Sequence, residues 1–589
     1  MTSLPGYVIQ HPSRVFLSTT TALGALALSP SPPLIPLILL LATLHLHLYM
    51  LIPRHKVLSH GSVQVLFLSG AAGLAHVGPS FQALSTPAIS FVSLGVISFI
   101  SSSFALLSIV LSYYGGRLTH SHWTQALLFP SIWASTWGIV AYSSPVGRLV
   151  TWSPVVGLGY YNWMREIFGQ YGIDWVVAGW AVVIAAAVGQ WLVGPAGDAD
   201  VASSEPEHLI SLPLEGLPGG RISKDSKSKL RHMLVLAGFL VILTLPSFFM
   251  SSLPLPVNSP GITPLGVACA LPYPHRSGRR RDPLTLLDFI MESQRLQSQS
   301  NIVLWPEGAV RFDTLEQKQR AFLMAQRSMN AGRYYAISFE EYVPPQPSDD
   351  QGVAGIRRNG LVLLGSTGPP VFEYYKRKLV PIAESFSLTS SSDPPTIFNL
   401  ELGPPKSWNK TTWAPGNHTR PIPLTASICL DFSSSSAFDG LPSRPALILA
   451  PARTWHIDVG YAMWQQARAR AEEIGSTVLW CDGGEGGVSG IAGGGMHEIV
   501  QVGQGSWTRT IGVHWPFDQR LTFFARGGDY AALAAIWAIL GAGWGIEFLK
   551  ITGCHNGHRF GTWIMGQLRK LRALRSPHER DQEILIDDS

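Results

Sequence analysis

Long apolar windows are the feature that most constrains how this chain can fold. A helix needs about 20 consecutive apolar residues to cross a bilayer, and eight windows approach or reach that length. They are 15–30, 34–52, 62–83, 89–113, 124–143, 173–194, 231–251 and 530–548. Only 14% of the residues are charged, against about 25% in an ordinary soluble domain. The sequence therefore predicts an α-helical polytopic membrane bundle of about eight spans.

The first window has two interpretations. It is short, it ends in a proline-rich stretch, and Ala25-Leu26-Ala27 resembles a signal-peptidase site. The segment is therefore either a first span or a cleaved signal. Both interpretations begin with the N-terminus inside, so the orientation of the later spans is the same.

Basic residues mark the cytoplasmic ends of membrane spans. They follow spans two, four and eight and precede span seven, which puts them on one side of the membrane. These residues are Arg54, Lys56, Arg117, Arg221, Lys224, Lys227, Lys229, Arg231, Lys550, Arg559, Arg569, Lys570, Arg572 and Arg575. Arg148 and Arg165, between spans five and six, are exceptions. We expect both termini in the cytoplasm and the polar block between spans seven and eight in the lumen or extracellular space.

The chain divides into four segments. These are a membrane domain of about seven spans (1–252), a polar α/β domain (253–525), a final span (526–550) and a basic cytoplasmic tail (551–589). Apolar runs and amphipathic patterns predict the elements of the polar domain. We expect strands in 301–305, 335–339, 360–364, 424–430, 446–450 and 477–481, and helices in 283–298, 314–330 and 456–474.

Charge and cysteine content narrow the possible partners and cofactors. A formal net charge of +5 over 589 residues gives no reason to expect a nucleic-acid partner. The four cysteines have no metal-site spacing and are too few for a disulfide framework. They are Cys269, Cys429, Cys481 and Cys554. We therefore expect a monomer that uses no metal and no cofactor.

Two N-glycosylation sequons lie in the polar domain. They begin at Asn409 and Asn417, and such sequons are used in surface loops of secreted segments. Both asparagines are candidate glycosylation sites, and they agree with an external position of the domain.

Three polar side chains beside strand-like runs could together form a catalyst: Glu307, Lys376 and Cys429. A thiol becomes a strong nucleophile as the thiolate, and a carboxylate can accept its proton. An ammonium group and a backbone N–H can stabilise the oxyanion that forms when sulfur attacks a carbonyl. Singly, each residue also suits a structural role, as a solvated turn glutamate, an edge lysine or a small core cysteine.

The blocks that carry these residues, WPEGA, YYKRKLVPIAE and ICLD, resemble in this order the signature blocks of the nitrilase (carbon–nitrogen hydrolase) superfamily. The resemblance implies an αββα sandwich in which Glu307 is the base, Lys376 binds the oxyanion and Cys429 is the nucleophile. It further implies that Glu384 is an active-site glutamate and that Asp431 supports the site, where the family usually has glutamate.

The chain as a whole resembles bacterial apolipoprotein N-acyltransferase, which has seven spans, a nitrilase domain and a final span. GLGYYNW and FGQYGIDWVVAGW are similar to its loop between spans five and six, and LTFFARGGDYAALA is similar to its return to the membrane. This chain departs from the pattern at WPEGA, at Leu430-Asp431 and in the second block, and it carries an added segment at 385–422. These departures suit a eukaryotic, fungal relative whose substrate need not be a lipoprotein.

The function predicted from the sequence is N-acyl transfer through a thioester on Cys429, from a membrane lipid to an amine-bearing acceptor. Burial of an acyl chain contributes about 0.8 kcal/mol per CH₂, so such a donor stays in the bilayer and the enzyme has to meet it there. Two alternatives remain open. Water could replace the amine, which would give a membrane amidase acting on a lipid-like amide, or the sandwich could be a non-catalytic binding module of a membrane scaffold.

Overall fold

The structure is a computed structural model that describes four stretches of the chain. These are 4–193, 222–250, 259–344 and 355–552, with short gaps at 82, 84–85, 120, 275, 278–279, 282, 406–407, 409–412, 415–417 and 494–495. The candidate glycosylation sites Asn409 and Asn417, together with Cys554 and the rest of the tail from 553 onward, lie outside the described residues.

The N-terminal part is a bundle of α-helices. In chain order they are α1 (Leu4–Gln10), α2 (Pro12–Ala27), α3 (Leu34–Leu51), α4 (Val57–Ala75), α5 (Val77–Phe81), α6 (Pro87–Arg117), α7 (His122–Ser143), α8 (Arg165–Val193) and α9 (Ile222–Ile242). A common core of leucine, alanine and tryptophan side chains joins the longer helices. The last helix of the described chain, Phe523–Thr552, follows the sheet domain and packs against α7 and α8.

Six helical segments of the described chain are long and apolar enough to cross a membrane. They are Leu34–Leu51, Val57–Ala75, Pro87–Arg117, Gly159–Leu192, Arg231–Phe249 and Phe523–Gly545. The predicted spans 15–30 and 124–143 form the helices α2 and α7, which are not among these six. Helix formation is thus confirmed at all eight windows, whereas passage through a bilayer remains a prediction.

Arg148 and Arg165, the exceptions to the predicted charge asymmetry, are buried. The Nη1 atom of Arg148 lies 3.7 Å from the carboxylate of Asp174, and its guanidinium stacks over Tyr171. The Nη1 atom of Arg165 lies 2.6 Å from Glu472 in the sheet domain. The orientation rule counts charges in the loops that flank the spans. Two arginines buried in ion pairs therefore do not weigh against the predicted orientation.

The polar domain contains two large β-sheets. Its strands are β1 (Ile262–Cys269), β2 (Arg276–Ser277), β3 (Arg280–Arg281), β4 (Ile302–Leu304), β5 (Val310–Phe312), β6 (Tyr334–Val343), β7 (Ile356–Gly365), β8 (Phe372–Tyr375), β9 (Phe398–Leu402), β10 (Arg420–Ala426), β11 (Leu447–Ala452), β12 (Thr477–Asp482), β13 (Val488–Gly493), β14 (Met496–Val502) and β15 (Trp507–His514). The first sheet has the order β15-β1-β4-β6-β7-β8, with β5 against β6, and the second has the order β14-β13-β12-β11-β10-β9.

The two sheets pack face to face with helices on their outer sides. One core holds inward side chains of both sheets, such as Leu265 of β1 and Leu449 of β11. A second core lies between the first sheet and the helices α10 (Leu286–Leu296) and α11 (Leu315–Arg327). Helix α12 (Ile457–Ile474) covers the second sheet. This layer order agrees with the predicted αββα sandwich.

The predicted strands and helices of this domain are confirmed, with shifted ends. The strand predicted at 424–430 ends at Ala426, because a short 3₁₀ turn begins at Cys429. The sequence analysis did not assign β1, β5, β8, β9, β14 or β15. Proline and glycine interrupt the apolar pattern of β1, and half-exposed residues weaken that of β14, so neither shows a clear strand period.

A disulfide bond joins Cys269 of β1 to Cys481 of β12. Since these strands belong to different sheets, the bond links the two halves of the sandwich. The sequence analysis expected no disulfide framework and did not predict this single bond. The two residues are 212 positions apart, so their proximity depends on sheet packing that their spacing does not reveal. Cys429 is buried with a free thiol.

Helix α12 lies between the second sheet and the N-terminal helical bundle. The helix ends at Gly475, which has a φ of 68°. The charged side chains of its C-terminal half are buried and form ion pairs. These are Arg468–Glu472, Arg165–Glu472 and Arg470–Glu473. Because Arg165 belongs to α8, this network connects the sheet domain to the bundle.

Candidate active site

Glu307 lies at the carboxyl end of β4, in the first sheet. The apolar residues of β4 and Trp305 are fully buried, so the chain leaves the core at Pro306 and brings Glu307 to the sheet edge. Gly308 follows in a left-handed conformation, with a φ of 61°, which glycine adopts readily. The backbone N–H of Glu307 donates to the carbonyl of Ala452, next to the second sheet.

Lys376 directly follows β8 and is buried against Glu307. Its Nζ atom lies 2.7 Å from Oε1 of Glu307 and 2.8 Å from each carboxylate oxygen of Glu384. The side-chain amide of Asn359 also donates to Oε1 of Glu307, at 2.7 Å. The carboxylate and the ammonium therefore hold each other in one orientation, with Asn359 and Glu384 on either side.

Cys429 lies at the start of the turn after β10. Its φ is +44°, a conformation that is uncommon for a residue with a side chain and concentrated at functional sites. The thiol is buried, and it lies close enough to Glu307 for each group to shift the pKa of the other. The turn therefore holds the sulfur beside a group that can accept its proton.

Asp431 connects the turn that carries Cys429 to the segment that carries Lys376. Its carboxylate accepts hydrogen bonds from the backbone N–H groups of Ile428, Arg377 and Lys378, at 3.1, 3.1 and 2.6 Å. The hydroxyl of Tyr374 donates a fourth, at 2.8 Å. Because these donors come from both sheets, Asp431 positions the thiol relative to the ammonium.

Burial sets the protonation states of the site. It raises the pKa of Glu307 to about 7, against the opposing attraction of Lys376. It also raises the pKa of Cys429 well above its usual value, and the charge of Glu307 raises it further. Burial works against the ammonium of Lys376, but Glu307, Cys429 and Glu384 together raise its pKa far above the ordinary value. At neutral pH the site therefore holds a thiol, an ammonium and a carboxyl group that is ready to exchange a proton.

A cavity of about 780 Å³ lies beside Glu307. Its wall includes Gly308 and Phe289 on the side of the first sheet, and Arg453 and Trp455 from the loop after β11. The indole N–H of Trp455 donates to the carbonyl of Pro79 in α5. The cavity therefore lies next to the helical bundle as well as Glu307.

The structure brings together all five site residues that the sequence analysis selected. Glu307, Lys376 and Glu384 form one hydrogen-bonded cluster, Cys429 lies beside Glu307, and Asp431 joins the segments that carry Lys376 and Cys429. Their catalytic roles remain a prediction.

The sequence analysis missed several polar residues of the site. Asn359 precedes an apolar run in β7, and Tyr374 lies two residues before Lys376. The sequence signal at Asn359 is a polar residue next to an apolar strand. Its side chain is nearly fully buried in the structure, and a buried polar group needs a hydrogen-bond partner.

Comparisons with known proteins returned structural neighbours. No family model matches the chain, and a search of curated proteins found no match. Among the solved structures, an amidase from Nesterenkonia sp. is 16% identical, with a TM-score of 0.28, and the alignment covers 46% of this chain and 96% of that chain. A mutant of the Nesterenkonia AN1 amidase from the nitrilase superfamily is 16% identical, with a TM-score of 0.30 and coverage of 46% and 97%.

A further neighbour is a mutant of the Nesterenkonia sp. AN1 amidase that carries the acetamide moiety of fluoroacetamide on its active-site cysteine. It is 17% identical to this chain, with a TM-score of 0.29, and the alignment covers 49% of this chain and 99% of that chain. Similarity of this size supports no inference about the activity of this chain, so any functional assignment depends on its own residues.

Proposed function

We propose that the protein is a membrane enzyme of the carbon–nitrogen hydrolase type that transfers an acyl group from a membrane lipid to an amine. The observation that carries the proposal is the buried contact of Glu307 with both Lys376 and the thiol of Cys429. These three groups supply the base, the positive charge and the nucleophile of acyl transfer.

In the first half-reaction the thiol of Cys429 gives its proton to Glu307 while sulfur bonds to the carbonyl carbon of the lipid ester. The negative charge that develops on the carbonyl oxygen is stabilised by the ammonium of Lys376. The bond between the carbonyl carbon and the ester oxygen then breaks. The departing alcohol takes the proton from Glu307, and the acyl group stays on Cys429 as a thioester.

In the second half-reaction an amine attacks the carbonyl carbon of the thioester and gives a proton to Glu307. The carbon–sulfur bond breaks, and the proton returns to sulfur, so the free thiol is restored and an amide is released. Water in place of the amine would give a carboxylic acid by the same steps. The alternative of a lipid-amide hydrolase thus uses the same residues with a different acceptor.

The position of the cavity supports a lipid as the acyl donor. Trp455 in its wall contacts α5, and the turn that carries Cys429 packs against the bundle where Ser433 meets Gly147. Several bundle helices have exposed apolar side chains, including Leu66, Val92 and Ile139, which suits contact with acyl chains. A donor held in the bilayer would reach Cys429 without leaving the bilayer.

The disulfide supports the proposed sidedness. Disulfides persist in oxidising compartments and are rare in the cytosol, and the bond between Cys269 and Cys481 lies inside the catalytic domain. We therefore place this domain on the lumenal or extracellular side, with both termini in the cytoplasm.

The buried charges weigh against a non-catalytic scaffold. Taking a carboxylate and an ammonium out of water costs several kcal/mol per ion, and well-packed apolar residues could replace such a pair with no loss of stability. A binding module would gain nothing from Glu307 and Lys376 beside a free thiol, whereas acyl transfer requires all three groups.

The function is tested by following the fate of a labelled acyl chain. Purified protein is incubated with phospholipid that carries an isotope-labelled acyl chain, with and without a short peptide that has a free amino terminus. Labelled peptide amide is expected, and it should be absent with Cys429→Ala. If labelled fatty acid is the sole product, the protein is a hydrolase and not a transferase. If a correctly folded protein forms neither product, the result contradicts both enzymatic functions.

A further inference from the structure

The final helix (Phe523–Thr552) and α8 are each broken at a glycine, and they pack against each other there. Gly528 has a φ of 63° and Gly169 a φ of 59°, and the backbone is non-helical at both positions. Glycine adopts this conformation readily. A β-carbon at Gly169 would overlap the ring of Phe524. This packing therefore fixes where the final helix restarts, at Asp529.

Asp529 contacts the segment that carries Cys429. The hydroxyl of Ser435 donates to Oδ2 of Asp529, at 2.5 Å. Ser435 begins the second of two successive 3₁₀ turns, Cys429–Ser433 and Ser435–Phe438, which together form the Cys429 segment (429–438). The final helix is therefore joined to the same short segment that holds the thiol.

The Cys429 segment touches the bundle at a second point. A β-carbon at Gly147 would overlap the carbonyl of Ser433, so the two backbones are in direct contact. Gly147 lies in the segment between α7 and α8, with a φ of 55°. Ser433 and Ser435 thus fix the Cys429 segment to the bundle by one backbone contact and one side-chain hydrogen bond.

A buried guanidinium of the bundle lies near Asp529. Arg148 is buried and stacks over Tyr171. Burial works against its charge, but Tyr171 and the nearby carboxylates, including that of Asp529, raise its pKa above the ordinary value. The carboxylate of Asp529 is therefore close enough to stabilise the charge of Arg148. Asp529 connects the Cys429 segment to the polar interior of the bundle.

Two carboxylates hold the Cys429 segment, and they come from different parts of the molecule. Asp431 accepts hydrogen bonds from backbone N–H groups that directly follow Lys376, so it fixes the segment relative to the ammonium. Asp529 belongs to the final helix, so it fixes the segment relative to the bundle. A donor that diffuses through water needs only the first arrangement. A donor whose acyl chains stay in the bilayer needs both, because its ester has to meet the thiol at a fixed place beside the bundle.

We propose that Asp529 is a positioning residue that holds the thiol of Cys429, through Ser435, where an acyl donor in the bilayer reaches it. A carboxylate suits this role because a hydrogen bond to a charged acceptor is stronger than one between neutral groups. The inference rests on the proposed acyl transfer, and it adds a residue of the final helix to the groups on which that transfer depends.

The experiment measures single-turnover acylation of Cys429 by two donors, with the full-length protein in phospholipid nanodiscs. One donor is the phospholipid itself. The other is water-soluble 4-nitrophenyl acetate, whose ester bond breaks as sulfur attacks, so that 4-nitrophenol leaves and the acetyl group stays on sulfur. Ser435→Ala should lower the ratio of the phospholipid rate to the acetate rate about tenfold, the effect of losing one hydrogen bond to a charged group. Asp529→Asn should lower this ratio as well, and Ser435→Thr, which keeps the hydroxyl, should restore it.

Two variants serve as controls. Ser436→Ala removes a hydroxyl that bonds to Ser434 within the Cys429 segment and should leave the ratio unchanged. Asp431→Asn should lower both rates together, because it disturbs the thiol relative to the ammonium. An equal fall of both rates in Ser435→Ala, or no fall in either, would overturn the proposed role of Asp529.

Hydrogen exchange keeps the inference independent of catalysis. Ser435→Ala should raise the deuterium uptake of peptides from the Cys429 segment and leave that of β12, as an internal reference, unchanged. If this uptake rises but the native protein is acylated by 4-nitrophenyl acetate alone, the anchoring by Asp529 stands and the lipid donor of the proposed function fails. If the uptake of the segment is unchanged, the anchoring fails whatever the activity.

Discussion

At the scale of single residues, the account depends on the protonation state of a buried thiol. The pKa of Cys429 is raised well above its usual value by burial, so the sulfur is a thiol at neutral pH. A thiol needs a base at the moment of attack, and Glu307 lies close enough to this thiol to raise its pKa. The proposed acyl transfer therefore uses general-base catalysis and does not start from a resting thiolate.

Replacing the base should stop acylation without unfolding the protein. Glu307→Gln keeps the shape of the side chain, and its amide oxygen can still accept from Lys376. It cannot accept a proton. We expect the rate of thioester formation to fall by about a hundredfold to ten-thousandfold, the usual contribution of a positioned base. The measurement is single-turnover acylation followed by mass spectrometry, with thermal unfolding as the control. Wild-type rates in a folded variant would show that Glu307 is not the base.

The acylation rate should increase with pH around neutrality. Burial raises the pKa of Glu307 to about 7, and the carboxylate accepts a proton only when it is ionised. The rate should therefore rise as pH passes upward through about 7 and be low well below that value. A pH profile of single-turnover acylation between pH 5 and 9 tests this. A flat profile across neutrality would contradict the assignment of the base, and Glu307→Gln should remove the rise.

The site residues that could be predicted from the sequence lie in short contiguous sequence blocks. Glu307, Lys376 and Cys429 each lie in or beside an apolar run within a recognisable block, so they could be selected from the sequence, although a strand end was predicted only before Glu307. Asn359 contacts Glu307 from 52 positions away, and Asp529 contacts Ser435 from 94 positions away. Contacts of this kind depend on how distant segments pack, which residue types alone do not disclose.

At the scale of elements, the turn after β10 and the segment after β8 form one unit through Asp431. Four donors from these segments converge on its carboxylate. Since Cys429 adopts a left-handed backbone conformation, which costs about 1–3 kcal/mol in a residue with a side chain, the surrounding hydrogen bonds have to hold it. Asp431 supplies that support.

Weakening this unit should affect catalysis more than folding. Asp431→Asn keeps one acceptor oxygen but loses the charge that binds three N–H groups and the Tyr374 hydroxyl. We expect the acylation rate to fall about tenfold or more and stability to fall by about 1–3 kcal/mol. Tyr374→Phe removes one of the four donors and serves as the matched comparison, with a smaller loss of rate. An unchanged rate in Asp431→Asn would remove this residue from the positioning of Cys429.

At the scale of the whole molecule, the sheet domain is joined to the bundle by buried charges and held together by a disulfide. The ion pair between Arg165 and Glu472 crosses from α8 to α12, and the bond between Cys269 and Cys481 crosses between the sheets. The helical windows could be predicted from long apolar runs, and the layer order was implied by the resemblance of three sequence blocks to the nitrilase superfamily. The disulfide could not be predicted, because it closes a loop of 212 positions that only sheet packing brings together.

Removing the disulfide should lower stability without blocking the chemistry. Cys269→Ser with Cys481→Ser should reduce the free energy of unfolding by about 2–5 kcal/mol, the usual effect of losing a native disulfide. The measurement is the Tm in detergent, with Cys429→Ala as a control that leaves the bond intact. In unfolded, unreduced protein, thiol labelling should spare Cys269 and Cys481. Labelling of all four cysteines before reduction would contradict the bond and weaken the proposed external position.

The most direct test of the central claim is the intact mass of the purified protein after brief exposure to phospholipid. The account predicts a mass increase of one acyl group, located on Cys429 by peptide mapping, released by an amine, and absent in Cys429→Ala. An unmodified mass under conditions where the folded protein binds phospholipid would contradict it, as would an acyl group attached to another residue.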